Sequence, residues 1–186
     1  MGECTNFFTA KRSDLRKGGK EGQKAFWQNG LGFLNKAAWF DFMLWGAPKE
    51  LDASEEDHEL ICSGLHSDHE NPLTVGLLEY VIKRLQALDK KVLSMPCDQE
   101  TDHAEYSIDT KTFELAISGT PQGEAMMEEV YKVLFTSCDR DFVYPWENKN
   151  REEWGTVWVQ QTLKKIIEKY NRFNVDGDYA LYKTTG

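Results

Sequence analysis

Between Pro72 and Val92 the apolar residues Leu78, Val81, Ile82, Leu85, Leu88 and Val92 recur three and four positions apart, which lays them along one face of an α-helix. A face of that length has to be covered, so the rest of the chain must supply elements that pack on it. The same spacing in Phe26, Leu31, Leu34, Ala38, Phe42 and Trp45 predicts a helix over 25–45, closed by Gly46 and Pro48. It returns after Thr120 and Pro121 in Met127, Val130, Tyr131, Leu134 and Cys138, and from about Glu152 in Trp154, Trp158, Leu163, Ile166, Ile167 and Tyr170. Ser54 with Asp57 three residues on is a capping-box pattern opening a short helix through Leu60, Ile61 and Leu65. Asn71 is expected to cap the long helix, with Pro72 at its first position.

Alternation of period two is confined to short pieces. Residues 4–10 read as a strand, and Tyr179 to Lys183 as a closing strand after a turn at Asp176 and Gly177. Ala104, Tyr106 and Ile108, then Phe113, Leu115 and Ile117, predict a hairpin near 104–118 with its turn at Asp109 to Lys111. Nothing alternates strand and helix in the βαβ manner. The expected fold is therefore α+β, a mostly helical single domain over 1–186 with a small antiparallel sheet that includes the hairpin. Six Trp, seven Tyr and ten Phe supply the bulk for a core. No apolar run reaches the length of a membrane span, and the amino terminus lacks a signal-peptide apolar region, so the sequence reads as a cytoplasmic protein without a membrane partner.

The formal net charge of −9 is unevenly spread. Residues 1–49 carry eight bases and four acids, residues 50–142 carry seven and 21, and residues 143–186 carry seven and six. Glu50, Asp52, Glu55, Glu56, Asp57 and Glu59 crowd ten residues that hold no base, and a second acidic stretch runs from Asp98 to Asp109. Like charges at that density repel, so both stretches are expected to face water. Such a face attracts a basic protein; the competing reading is an ordinary solvated surface. A nucleic-acid partner is disfavoured, because duplex binding needs Lys and Arg to displace counterions. Only Lys11, Arg12, Arg16, Lys17, Lys20 and Lys24 could contribute, in a segment whose Gly18, Gly19 and Gly22 read as a mobile loop.

Met1 and Gly2 with a nearby Phe, the run from Leu73 and Thr74 through Ile82, Arg84, Leu85, Leu88, Asp89 and Leu93, the pair Tyr144 and Pro145, and the close in Ile167, Tyr170, Arg172, Gly177, Ala180 and Leu181 resemble the YfbM-like family, small bacterial proteins of unknown function. Trp39 answers to a Trp in the family's first helix. The His that follows it there has no counterpart, since Met43 and Leu44 stand instead. The 104–118 segment is an insertion relative to the family pattern. The resemblance implies an α+β bacterial cytoplasmic protein whose first and last strands pair, and it implies no reaction.

Among groups that carry chemistry, His58, His66 and His69 fall close together, with Cys62 between them. On a continuous helix they would share one stripe and could present zinc ligands, with Asp57 and Asp68 orienting the rings. Gly64 and Pro72 oppose a continuous helix, and no H-E-x-x-H signature is present. His103 and Glu105 spell half of the zinc-deaminase signature, but no P-C-x-x-C follows. Cys4, Cys62, Cys97 and Cys138 show no paired spacing and read as reduced thiols, Cys62 and Cys138 as small apolar residues on helix faces. Asn174, Asp176 and Asp178 lack the frame of a calcium loop. The aromatic cluster of Phe33, Trp39, Phe40, Phe42 and Trp45 reads as core, with Trp39 and Phe40 as the alternative exposed patch.

The sequence thus supports a non-catalytic intracellular binding protein without a cofactor, immunity-like or inhibitor-like. Its acidic centre, through Glu55, Glu56, Asp57 and Glu59, would engage a basic protein partner, with Tyr144 and Trp146 in a Pro-containing loop as interface anchors. The alternative is a metal-dependent hydrolase built on the His, Asp and Glu cluster at 57–70, with zinc on His58, His66 and His69.

Overall fold

A computed structural model of the protein describes residues 4–34, 40, 43–44, 46–62, 70–92, 110–126 and 156–185. The chain divides into two compact units. One comprises Met1–Ala37, Ala47–Tyr80 and Gln161–Gly186; the other comprises Ala38–Gly46 and Val81–Gln160.

The first unit holds a four-stranded antiparallel sheet of β1 (Thr5–Lys11), β2 (Asn29–Leu34), β3 (Glu70–Leu73) and β4 (Tyr179–Thr185) in the order β2-β1-β4-β3. The α+β expectation holds, and the first and last strands pair over their full length, from Thr5 opposite Thr185 to Lys11 opposite Tyr179. Helices among the described residues include α1 (Arg12–Leu15), α2 (Gly19–Phe26), α3 (Glu55–Cys62), α4 (Val75–Val92), α5 (Thr110–Ile117) and α6 (Thr156–Phe173), with a 3₁₀ turn at Lys49–Leu51. Alternation along the strands sends Phe8, Ala10, Ala180 and Tyr182 to one face of the sheet. There Ala10, Ala180 and Tyr182 form a buried cluster with Leu15, Ala25, Phe26 and Ile61, and Phe8 and Leu60 pack against it. The Tyr182 ring lies 4.3 Å from that of Phe26 and its hydroxyl donates to the Phe26 carbonyl. Burial pushes that phenol far up, so it stays a donor. Each fully buried ring of this kind stabilises the unit by about 2 kcal/mol. On the opposite face, α6 comes so close to β2 that a Cβ on Gly32 would lie 3.3 Å from Ile166.

Several local expectations are overturned. The helix predicted over 25–45 is interrupted by strand β2, because the pairing with β1 slips between Phe7 and Phe8 and leaves Leu31 as an extra residue. Leu31 within that irregularity and Leu34 beyond it are both buried, so the strand shows the three-residue spacing of a helix. The segment expected to be a mobile loop forms α1 and α2, joined at Gly18 and Gly19, whose φ values of 65° and 54° turn the chain between them. Residues 70–73 are strand, not helix start. Pro72 fits because β3 is an edge strand that needs no outward donor. Thr74 replaces Asn71 as the cap of α4: its hydroxyl accepts from the Leu77 N–H at 3.1 Å and donates to the Leu51 carbonyl at 2.6 Å.

In the second unit, Phe40, Met43, Val81, Ile82, Leu85, Ala116 and Val159 are buried. Phe40 therefore belongs to the core, and Phe33 of the aromatic cluster is half-exposed. The predicted hairpin is contradicted where it can be compared: residues 110–117 form α5, and residues 104–109 lie outside the described residues. Glu114, Leu115 and Ala116 favour helix, and α5 brings Glu114 Oε1 to 3.2 Å from the buried Arg84 guanidinium. The helix expected after Thr120 begins there, with the Gly123 N–H donating to the Thr120 hydroxyl at 3.1 Å; its course beyond residue 126 lies outside the described residues.

Candidate binding surface

The acidic run begins on the 3₁₀ turn and continues through α3. Ser54 caps α3, accepting the Asp57 N–H at 3.2 Å, as the capping-box pattern predicts. The Asp57 carboxylate goes elsewhere. Arg12, at the corner between β1 and α1, donates Nε to Asp57 Oδ1 at 2.6 Å and Nη2 to Oδ2 at 2.8 Å. Its Nη1 donates to the Gly177 carbonyl at 3.0 Å, and its main-chain N–H donates to the Asp178 carbonyl at 2.7 Å. Gly177 has φ 77°, the left-handed turn that starts β4, so one arginine joins the amino-terminal corner, α3 and the turn before the last strand. The side chains of Arg12 and Asp57 are 19% and 6% exposed, which makes this bidentate pair a closed contact. The Asp57 hydrogen bonds hold the guanidinium above its ordinary range.

More peripheral pairs surround this contact. Arg16 donates Nε to Glu56 Oε1 at 3.0 Å and approaches Asp178 Oδ1 at 3.9 Å. Lys11 Nζ lies 3.4 Å from Asp176 Oδ2. Asp176 is held below the usual carboxylate range, first by the Asp178 N–H and then by Lys11. His58 Nε2 meets Asp52 Oδ1 at 3.3 Å. Tyr170 donates its hydroxyl to the Tyr179 carbonyl at 2.8 Å, and burial pushes its phenol up.

Glu55, Glu56 and Glu59 are exposed, as expected for a surface run. Asp57 is the correction: it is buried, because Arg12 replaces with two hydrogen bonds the water it loses, and it is not part of any face a partner could reach. Cys62, expected on an apolar helix face, is exposed, and partial burial followed by the charge of Glu70 pushes its thiol up, away from the reactive thiolate. His66, His69, Tyr144 and Trp146 lie outside the described residues. Among the described residues no group of three or more His, Cys, Asp or Glu side chains is placed to hold a metal. Asn174 and Asp176 cap the turn instead of lining a loop site, accepting the N–H groups of Tyr179 and Asp178 at 3.0 and 3.1 Å. The residues that sequence reasoning missed are Arg12 and Arg16. The available signal was the opposite sign of the two segments, 11–24 and 50–59, that the fold brings together.

No family model, curated protein or solved structure matches the chain. Among the described residues no helix is long and apolar enough to cross a membrane.

Proposed function

We propose that this chain is a non-catalytic binding protein of the bacterial cytoplasm whose α3 face engages a basic protein, in the manner of an immunity protein or inhibitor. The observation that carries the reading is the way α3 is presented. Arg12 fixes Asp57 inward and so sets the rotation of the helix, while Glu55 and Glu59, one turn apart, stay exposed on its solvent side with Glu50 and Asp52 preceding them. A rigid acidic surface of this kind favours rapid, salt-sensitive association with a cationic partner, because its charges need not be ordered on binding. The resemblance to the YfbM-like proteins is carried by the sequence, and pairing of the first and last strands is what it implies.

The test is affinity capture of a basic partner from the host across a salt series, with wild type compared with Glu55→Lys/Glu59→Lys. Expected is a partner lost as salt rises and lost in the reversal variant. A partner indifferent to both removes the reading. Asp57 is left untouched in this design, since its reversal would place two cations together in a closed contact.

A further inference from the structure

We infer that the solvent face of α6 is a second docking surface, and that it takes an acidic polypeptide segment. Helical geometry puts Lys164, Lys165, Glu168, Lys169 and Arg172 on the side opposite the buried Leu163, Ile166 and Tyr170. All five are exposed, four bases against one acid, in a chain whose overall charge is −9. Lys169 is partly committed, since its Nζ donates to the Leu31 carbonyl at 2.9 Å. Lys164, Lys165 and Arg172 make no ion pair among the described residues. The acids nearest the end of the stripe do not offset them, because Asp176 is taken by Lys11 and Asp178 by Arg16 and the Ser13 N–H. Just past the stripe, Phe173 and Val175 are 38% and 86% exposed, which adds an apolar contact beside the cations.

The choice of occupant follows from these features. An anionic membrane would call for the apolar face of the helix, and that face is already spent on the core. Duplex nucleic acid needs many more cations than the four on this face. An acidic peptide needs only a few cations spaced along one helix and a small apolar anchor at its end. The inference is independent of the α3 reading.

Labelled poly-L-glutamate is the probe, titrated against the full chain by fluorescence anisotropy, with phosphatidylserine vesicles and duplex DNA as parallel probes. Expected is binding to polyglutamate that weakens with salt and falls about tenfold in Lys164→Glu/Lys165→Glu/Arg172→Glu. Circular dichroism verifies that this variant is folded, and Lys165→Glu alone gives a smaller loss in the same direction. Absence of polyglutamate binding overturns the proposal. So does binding that the reversals leave unchanged, or binding confined to vesicles or DNA.

Discussion

Arg12 and Arg16, at the two ends of α1, meet acids from distant parts of the chain, whereas Lys164, Lys165 and Arg172 on α6 stay exposed to solvent. The two sets lie in the same unit, and their fates differ because of where the fold puts them. Arg12 stands where β1, α3 and the 174–178 turn converge, so its guanidinium is largely withdrawn from solvent and must be matched atom for atom. The bases of α6 stand on a free helix face, where a bound acid would add little to stability. Charge committed to the fold and charge available to a partner are thus separated by local crowding, and the distinction does not follow from the charge count.

The largest effect that would break this comparison is at Arg12. Arg12→Ala leaves the Asp57 carboxylate buried without its cation, and we expect a loss of about 3 kcal/mol in urea unfolding. A loss below about 0.5 kcal/mol would show that Arg12 is no more committed than the α6 bases. The double variant Arg12→Ala/Asp57→Ala should recover part of that loss, with a coupling energy of about 2 kcal/mol in the double-mutant cycle. Thr74→Ala is next: it removes the cap of α4 and the bond to the Leu51 carbonyl, and should cost about 1 kcal/mol by the same measurement. Arg16→Ala and Lys165→Ala should each stay within about 0.5 kcal/mol, because both positions are well exposed.

The smallest effect is read by pH. Asp176 is ionised in the fold at pH values where an unfolded aspartate has begun to protonate. Its favourable contribution is therefore complete above the unfolded pKa and is lost as pH falls through the lower folded value. The Asp178 N–H is the larger cause, so carboxyl NMR titration of Lys11→Ala should find Asp176 still depressed, by less than in wild type. A full return to the ordinary value would assign the shift to Lys11 instead.

How much of this was legible in the sequence depended on whether one face of an element set its pattern. α4 and α6 bury one stripe each, and their spacing announced them. β4 was found from the run Tyr179 to Lys183 behind the turn at Asp176 and Gly177, although it is central and buried along most of its length. β2 was hidden by its bulge at Leu31. β3 was hidden by Asn71 and Pro72, which suit a helix start equally well. In α5, eight residues were too few for Phe113, Leu115 and Ile117 to distinguish alternation from a helix. Ser54 and the outward glutamates of the candidate surface were readable. The Arg12–Asp57 contact was not, since it joins residues 45 apart and exists only once β1 and α3 are side by side.

The pairing of β1 with β4 also has a consequence for how the molecule is made. The Thr9 hydroxyl bonds to the Ala180 carbonyl, 171 residues further along, and β4 is the strand that links β1 to β3. At translation rates of roughly 5–20 residues per second, β1 waits on the order of ten to thirty seconds for its neighbour. During that interval one edge of β1 is unsatisfied and Phe8 lacks the Tyr182 ring that stacks on it. The nascent chain therefore emerges with the β4-facing edge of β1 uncovered, and its yield in a cell rests on what shields that edge until synthesis reaches the last strand.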